Sequence, residues 1–376
     1  MELTAIVNGK VILEERIVEQ NLIFTEQIQA LVDDLHAYPQ IKKIDAEGCY
    51  IAPGLIDLHI HGLSGYAVSD GKEGLIQEMA KVLPTFGVTA FLPTTMTMEA
   101  TSIMQALGAI RSAKEADGSG AKVLGAHLEG PFINPDYKGA HDPAQIIPPD
   151  YELFAEFYDI INLITYAPEM DKGFIFTDKI INNTAVTLSI GHSDASYETA
   201  LEAINRGAKS TTHLFNAMSG IKARELGVAG AALNSEVYSK LIADTIHLAP
   251  AMFQLVTKLK SPERIILVSD SIPATNVGDG IYSLGGQKII VDQGIARLQE
   301  GNLAGSTLRL IDGVKNFVNH AGVDLSQGIK AATLNPARLL NLDQRIGSIE
   351  IGKAADLIVF DKDFQVKRTF INGREY

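Results

Sequence analysis

The chain has 376 residues, of which 46% are hydrophobic and 20% charged, so it can bury a large core and is not a disordered protein. Its net charge of −13 argues against nucleic acid and anionic membranes as partners, and at first sight against a small anionic substrate. The single cysteine, Cys49, excludes an internal disulfide. No apolar run reaches the ~20 residues of a membrane span, and the first residues lack a signal-peptide pattern. We therefore expect a cytoplasmic globular protein.

Both ends of the chain have the pattern of β-strands. Thr4–Leu13 alternates between apolar and polar residues and turns at Asn8-Gly9, a dipeptide typical of two-residue hairpins. Residues 345–376 have a similar pattern and contain a second Asn-Gly pair. We predict that residues 1–52 and 345–376 together form one small β-sandwich domain.

Short apolar strands alternate with helical segments across residues 53–344. The eight predicted strands are Gly54–His61, Thr89–Thr95, Lys122–Glu129, Ile161–Ala167, Val186–His192, Ser210–Asn216, Lys240–His247 and Arg264–Asp270. Helical patterns cover Lys72–Phe86, Met98–Ala116, Ser196–Arg206, Pro250–Leu259 and Thr307–Ala321. Repeated strand–helix units predict an α/β fold, a (β/α)8 TIM barrel, in preference to an open doubly wound sheet. The glycine-rich, strand-like residues 276–305 indicate an insertion at the barrel mouth.

Histidines are concentrated where the predicted strands end. Seven of the nine lie at strand ends or in the loop after the third strand, namely His59, His61, His127, His141, His192, His213 and His247. Catalytic residues gather at this face of a barrel because the carboxyl ends of all its strands converge there. For any one of them taken singly, the alternative is a buried histidine that only makes structural hydrogen bonds.

The pair His59 and His61 predicts a metal site. Alternation along a strand places both side chains on one face, where two imidazoles can bind one ion. Imidazole and carboxylate together favour zinc or an iron-type divalent ion. The candidate ligands are His59, His61, Glu129, His192 and His213. Asp270, at the end of the eighth strand, suits a general base that takes a proton from metal-bound water and returns it to a leaving group, although it could instead be a structural cap or a further ligand.

Several motifs resemble those of the amidohydrolase superfamily. The superfamily resemblance rests on Gly54-Leu-Ile-Asp57-Leu-His59-Ile-His61-Gly62 and Gly352-Lys-Ala-Ala-Asp356. More specific stretches resemble its N-acetylglucosamine-6-phosphate deacetylase family: His127-Leu-Glu129-Gly-Pro-Phe, Lys138-Gly-Ala-His141, Gly191-His192-Ser193, Thr212-His213-Leu-Phe-Asn216-Ala217-Met218, Arg224-Glu-Leu-Gly, Leu267-Val-Ser-Asp270 and Leu303-Ala-Gly305-Ser306. The likeness spans about residues 52–360. Many members of the superfamily have a carboxylated lysine at the end of strand four, but strand four of this sequence ends without a lysine. Glu129 of strand three matches the glutamate that the deacetylases use instead.

The resemblance implies metal-dependent hydrolysis of the acetamide of N-acetyl-D-glucosamine 6-phosphate to D-glucosamine 6-phosphate and acetate, in amino-sugar catabolism and cell-wall sugar recycling. It implies that each subunit binds one or two divalent ions, of which zinc and iron are expected ahead of other divalent metals. The implied ligands are Glu129, His192 and His213 for the main ion, and His59 and His61, bridged through Glu129, for a second. Metal-bound hydroxide would be the nucleophile, with Asp270 as base and then acid.

The same resemblance implies a set of substrate contacts. They are His141, Asn216, Ala217, Arg224, His247, Ala304, Gly305 and Ser306. His141 would also polarise the acetamide carbonyl, and Arg224 would reach the substrate of a neighbouring subunit, which implies a homodimer. Two positions depart from the family pattern. Thr245 stands where glycine is expected, and Ser269-Asp270-Ser271 replaces the more usual Thr-Asp-Ala.

Other interpretations stay open. A hydrolase on the same scaffold, such as an N-acetylgalactosamine-6-phosphate deacetylase, an N-acyl-amino-acid deacylase or a nucleobase deaminase, would share the metal residues. A non-catalytic scaffold is disfavoured by the complete set of ligands and base. A phosphate-binding loop at 278–305 is disfavoured because its glycine spacing fits neither known motif. Surface charges are screened within about 8–10 Å in salt, so a bound phosphate would respond mainly to nearby hydrogen-bond donors. These donors would be Arg224 of a neighbouring subunit, His247 and backbone amides near Asn216. The net charge therefore argues against nucleic acid but not against a phosphosugar.

Overall fold

Two parallel sheets lie at the centre of the protein, in a computed structural model that describes residues 2–116, 118 and 120–376. The six-stranded sheet contains, in order, Ala126–Glu129, Ile161–Tyr166, Thr187–Ile190, Ser210–Thr211, Tyr238–Ile242 and Ile265–Val268. The three-stranded sheet contains, in order, Lys122–Val123, Val88–Pro93 and Leu55–Ile60. All eight predicted strand positions are confirmed, with the third divided into two short pieces.

Single parallel bridges connect the edges of these two sheets. One joins Thr94 to His127 and the other joins Ile60 to Ser271. Backbone hydrogen bonds extend the second contact, since the amide of Asp270 donates to the carbonyl of His59 at 2.9 Å. The arrangement is compatible with a TIM-like domain, and it brings the carboxyl ends of the strands to one face.

Helices follow most of the central strands. They are Leu75–Val82, Ala100–Glu115, Ile175–Asn183, Tyr197–Arg206, Gly227–Leu233, Pro250–Leu259, Leu310–Ala321, Leu325–Lys330 and Leu334–Leu339. Shorter 3-10 turns are Val68–Asp70, Leu83–Phe86, Pro135–Tyr137, Pro143–Gln145, Ala155–Phe157, Pro168–Met170, Lys172–Phe174 and Pro262–Arg264. The five predicted helices are all present; Pro250–Leu259 has the predicted bounds, and each of the other four is shifted at one or both ends. Within the described ranges, no helix combines the length and apolarity that a bilayer crossing needs.

The two termini build a pair of sheets beside the parallel sheets. One contains Ile28–Val32, Asn21–Phe24, Thr4–Val7 and Lys42–Asp45, in that order. The other contains Arg374–Glu375, Val366–Ile371, Leu357–Phe360, Tyr50–Pro53, Lys10–Ile12 and Ile17–Val18. Residues from both sheets share one apolar cluster, in which the rings of Phe24 and Phe370 lie 5.4 Å apart. The two chain ends therefore do meet in a common sheet.

The predicted hairpin at Asn8-Gly9 is wrong. Thr4–Val7 and Lys10–Ile12 lie in different sheets and do not pair with each other. Asn8 does adopt a left-handed turn conformation, with φ of 55°, so the dipeptide turns the chain as expected. Each flanking strand pairs with more distant segments, because side-chain packing across the sheets outweighs the local turn preference.

The predicted insertion forms a small antiparallel sheet. Its strands are Gly280–Leu284, Gln287–Asp292 and Ile295–Leu298. Alternate residues of this sheet, including Leu284 and Ile289, are buried against Met96 and Ile272, which follow the second and eighth central strands. The insertion therefore covers one side of the face where the strands end.

Candidate active site

Seven ionisable side chains from different strand ends meet at one buried point. They are His59, His61, Glu129, His141, His192, His213 and Asp270, and none is more than 6% exposed. The sequence predicted every one of them as a site residue. Their convergence follows from the parallel strands, because the ends of strands one, three, five, six and eight share the same face.

Glu129 lies at the centre of this cluster. Its Oε1 is 3.3 Å from Nε2 of His192 and 3.2 Å from Nε2 of His213, and its Oε2 is 3.1 Å from Nε2 of His61. Two groups could each hold a metal ion, one of His59, His61 and Glu129, the other of Glu129, His192 and His213. Because Glu129 belongs to both groups, one carboxylate could bridge two ions.

The outer ring nitrogens of three histidines are held by backbone carbonyls. Nδ1 of His61 lies 3.1 Å from the oxygen of Thr94, and Nδ1 of His192 lies 2.8 Å from that of Tyr137. Nδ1 of His213 lies 3.1 Å from the oxygen of the Asn216 backbone. A carbonyl only accepts, so each Nδ1 carries a proton and each Nε2 faces the cluster, which is the arrangement of histidines that ligate metals through Nε2.

The Nε2 atoms of the histidines lie close together in two pairs. Nε2 of His59 and His61 are 3.0 Å apart, and Nε2 of His192 and His213 are 3.1 Å apart. Two lone pairs at that distance repel each other unless a cation or a proton lies between them. The donor set of imidazole and carboxylate therefore fits a divalent metal ion of the zinc or iron type.

His141 differs from the other histidines in its hydrogen bonding. The amide of Thr97 donates to its Nδ1 at 3.0 Å, so the ring proton sits on Nε2, which lies 3.4 Å from Oε2 of Glu129. Burial lowers the pKa of His141 to about 4, although the charge of Glu129 opposes this. At neutral pH, His141 is thus a neutral hydrogen-bond donor aimed into the site.

Asp270 completes the cluster as a carboxylate. Its Oδ1 lies 3.4 Å from Nε2 of His59 and 3.3 Å from Nε2 of His61. Burial alone would raise the pKa of Asp270, but the nearby His59 and His61 hold it below its usual range. Its backbone oxygen accepts from the amide of Ser306 at 2.8 Å, which fixes the turn that presents it.

Several strained backbone positions lie at the same strand ends. Non-glycine residues with positive φ there are His192 (50°), His213 (30°), Phe215 (75°), Ala217 (46°), Thr245 (67°) and Asp270 (52°). Left-handed conformations of such residues cost about 1–3 kcal/mol each and persist where surrounding structure enforces them. Their clustering around the histidines indicates a functional site.

The strain at Thr245 gives a stability prediction. A β-branched residue is poorly tolerated at φ of 67°, which explains why glycine is the residue expected there. We predict that Thr245→Gly raises the free energy of unfolding by about 0.5–1 kcal/mol, since the relieved strain exceeds the added entropy of an unfolded glycine. Urea denaturation of the two proteins measures it. The control Thr101→Gly, at an exposed site in the helix Ala100–Glu115, should lower stability, and an equal loss in Thr245→Gly would contradict the explanation.

The cluster opens into a cavity of about 330 Å³. Besides the cluster, its walls include Met96, Tyr137, Gly139, Asn216, Ala217, Ile242, His247, Leu284, Leu303 and Gly305. Five of the predicted substrate contacts therefore line it: His141, Asn216, Ala217, His247 and Gly305. Ala304 is buried beside the small inserted sheet, and Ser306 donates from Oγ to the backbone oxygen of Ser269 at 2.6 Å, so both lie behind the wall. Arg224 is exposed on a loop that borders a separate cleft with Tyr137.

His247 lines the cavity wall and is paired with Asp244. Its Nδ1 lies 2.7 Å from Oδ2 of Asp244, while Oδ1 of Asp244 accepts from the amides of Ile246 and His247 at 2.8 Å each. Burial would lower the pKa of His247, but the Asp244 carboxylate raises it above its usual value. This shift favours the protonated imidazole, the form that suits an anionic group of a ligand.

Some parts of the site were missed at the level of sequence. The carbonyls of Thr94 and Tyr137 and the amide of Thr97 orient the histidines, yet backbone groups leave no signature in a sequence. Met96 and Leu284 line the cavity from a strand end and from the insertion. Their apolar character is that of any core residue, so no local signal could have found them.

Comparison with known proteins agrees with this geometry. The sequence profile of the amidohydrolase family matches residues 50–376. The chain is 37% identical to N-acetylglucosamine-6-phosphate deacetylase of Bacillus subtilis over 347 residues, which cover 89% of this chain and 87% of that protein. It is 34% identical to N-acetylgalactosamine-6-phosphate deacetylase of Escherichia coli over 340 residues, which cover 89% of each.

A solved structure gives the same result. The crystal structure of N-acetylglucosamine-6-phosphate deacetylase from Pasteurella multocida superposes with a TM-score of 0.93, at 28% identity, over 100% of this chain and 99% of that one. The likeness therefore extends over both terminal sheets as well as the central ones. The chain belongs to the amidohydrolase family, and the three relatives named above are amino-sugar-phosphate deacetylases.

Proposed function

We propose that this protein hydrolyses the acetamide of N-acetyl-D-glucosamine 6-phosphate, giving D-glucosamine 6-phosphate and acetate. The observation that carries the proposal is the Glu129 carboxylate shared by two histidine pairs, with the Asp270 carboxylate beside them. The relatives named above act on substrates of this class. The reaction would serve amino-sugar catabolism and cell-wall sugar recycling in the cytoplasm.

The metal residues fit one or two divalent ions, with zinc or iron as the proposed identity. Glu129, His192 and His213 would hold the main ion, and His59 and His61 would hold a second with Glu129. When bound, such an ion polarises a carbonyl and lowers the pKa of a bound water towards ~7.

The protein's own side chains would move the protons. Asp270 is a carboxylate next to the metal residues, so it can accept a proton from the attacking water and deliver it to the departing amine. His141 carries its ring proton on Nε2 and can donate a hydrogen bond to the acetamide oxygen as negative charge develops there. His247 and backbone amides near Asn216 and Ala217 would receive the phosphate and sugar.

Arg224 is proposed to act in the active site of a second subunit of a homodimer. Arg224→Ala should raise KM by about 10–100-fold with little change in kcat, because a charged hydrogen bond to phosphate contributes roughly 1.5–3 kcal/mol. Steady-state kinetics with N-acetylglucosamine 6-phosphate measures it. Lys222→Ala, on the same exposed loop, should leave KM unchanged.

Mixing two impaired variants, one with low kcat and one with high KM, tests whether Arg224 acts between subunits. A heterodimer of Asp270→Asn and Arg224→Ala chains contains one site with an intact Asp270 and an intact Arg224 from its neighbour. Mixed chains should therefore regain activity at low substrate concentration. No gain over the separate variants would contradict a contribution between subunits.

We also infer the finer architecture on which this site rests. The bridges from Thr94 to His127 and from Ile60 to Ser271 support closure of the parallel strands into a (β/α)8 barrel spanning residues 53–344. The shared apolar cluster of the terminal sheets supports a β-sandwich of residues 1–52 and 345–376.

A second candidate is the galactosamine isomer, because one relative carries that name. Acetate release should be measured with N-acetylglucosamine 6-phosphate, N-acetylgalactosamine 6-phosphate, unphosphorylated N-acetylglucosamine and an N-acyl amino acid. We expect the highest kcat/KM for the first. A higher kcat/KM for N-acetylgalactosamine 6-phosphate would show that this isomer is the preferred substrate. A higher kcat/KM for the N-acyl amino acid would overturn the proposal.

A further inference from the structure

One buried lysine plays no part in the proposed chemistry. Lys240 lies in the strand Tyr238–Ile242, and its side chain has no exposed surface. Its Nζ has no hydrogen-bond partner among the residues that the structure describes. Removing an ammonium from water without a partner costs several kcal/mol, so this side chain is expected to respond to the charges around it.

The strand register places Lys240 beneath the metal residues. Side chains two residues apart share a face of a strand, and Ile242 lines the cavity together with Glu129 and His213. Lys240 therefore lies on the inward face, roughly 7 Å further down the strand. Its backbone oxygen accepts from the amide of Leu214 at 2.8 Å, which ties it to the segment that follows His213.

Lys240 interacts electrostatically with Glu129 and Asp270 and with His127. Burial lowers the pKa of Lys240 to about 7, while the carboxylates of Glu129 and Asp270 oppose the shift. In return, burial and then the charge of Lys240 hold the pKa of His127 well below its usual value. Lys240 is thus close to balance between ammonium and neutral amine.

The other strands supply mostly neutral groups at this level. Nε2 of His127 lies 2.8 Å from Oγ1 of Thr165, which is 2.7 Å from Oγ1 of Thr212. Asp57, on the first strand, is also buried, and burial raises its pKa to about 6. Among the described residues, Glu129 and Asp270 raise the pKa of Lys240, and the charge of Lys240 lowers the pKa of His127.

We propose that Lys240 is an internal counter-cation of the metal-free site, and that it releases its proton to solvent when a divalent ion binds at Glu129. The inference rests on the proposed metal dependence. Without metal, the ammonium partly balances Glu129 and Asp270. With metal, the ion offsets the two carboxylates, so Lys240 loses the charges that favour its ammonium form and becomes a neutral amine. Metal binding and protonation of Lys240 therefore oppose each other.

Calorimetric titration of the whole metal-free protein with Zn²⁺ tests this coupling. Repeating the titration in buffers of different ionisation enthalpy gives the number of protons released per ion bound. We expect wild type to release more protons than Lys240→Met, by about 0.9 per subunit at pH 6 and close to zero at pH 8.5, given a pKa of about 7. At pH 6, Lys240→Met should also bind Zn²⁺ at least about tenfold more tightly.

Lys260→Met is the matched control. Lys260 is a second buried lysine, with its pKa lowered to about 8 by burial, but its Nζ donates to the backbone oxygens of Ala232 and Ser235 far from the metal residues. Its replacement should leave proton release unchanged. If Lys240→Met does not fold, Lys240→Gln, which keeps a polar end without a titratable amine, replaces it.

Equal proton release by wild type and the folded Lys240 variant at pH 6 would overturn the inference. It would leave the proposed deacetylation intact, since the titration involves no substrate. Wild-type protein that binds no Zn²⁺ would overturn both the inference and the metal-dependent mechanism. Coupling without deacetylase activity would support the role of Lys240 and reject only the substrate.

Discussion

Replacing Asp270 by asparagine should lower kcat by about 10²–10⁴-fold, the usual contribution of a general acid and base. The amide has the same shape but cannot accept the proton of the attacking water. The carboxylate is poised for this role because His59 and His61 hold the pKa of Asp270 below its usual range, although burial opposes them. Kinetics with N-acetylglucosamine 6-phosphate, together with elemental analysis of bound metal, measures the effect.

The metal content separates loss of the base from loss of a ligand. Asp270→Asn should retain the ion bound by Glu129, His192 and His213. Asp136→Asn provides a control, because Asp136 lines the cavity outside the cluster and should keep kcat near wild type. A near-normal rate in Asp270→Asn would show that another group is the base.

Replacing Glu129 by glutamine should weaken metal binding at both positions by more than about a hundredfold, and abolish activity with it. Glu129 is the one residue shared by the two ligand groups, and the amide removes the negative charge that offsets the ion. Even residues behind the direct ligands typically contribute 10–100-fold in affinity, so a direct ligand should contribute more. Metal stoichiometry after dialysis measures the loss.

A second variant shows whether the two groups are distinct. The double change His59→Asn and His61→Asn removes ligands of one group only, so the protein should keep one ion at Glu129, His192 and His213. Retention of two tightly bound ions by Glu129→Gln would contradict the bridging role.

Much of the fold could be predicted because buried parallel strands are short apolar runs with polar ends. The helix Gly227–Leu233 escaped prediction since all seven of its residues are buried and it has no polar face. The Asn8-Gly9 turn forms, but its flanking strands join different sheets, and only tertiary packing decides that pairing. A local sequence pattern can predict a turn, but it does not determine which strands the flanking segments pair with.

The parts of the candidate site that consist of side chains could be predicted from the sequence. His59, His61, Glu129, His192, His213 and Asp270 stand at strand ends, where polar residues interrupt apolar runs. The groups that orient them are backbone carbonyls, which no residue type reveals. The seventh strand was predicted to begin at Lys240, but it begins at Tyr238, which places the lysine within the strand.

Acetate release before and after metal removal tests the central claim most directly. The protein would be stripped with a chelator, assayed with N-acetylglucosamine 6-phosphate, and assayed again as Zn²⁺ is added in measured equivalents. We predict no turnover in the stripped protein and recovery complete at one or two equivalents per subunit, with equal amounts of acetate and glucosamine 6-phosphate. Full turnover without metal, or no acetate from the reloaded protein, would contradict the account.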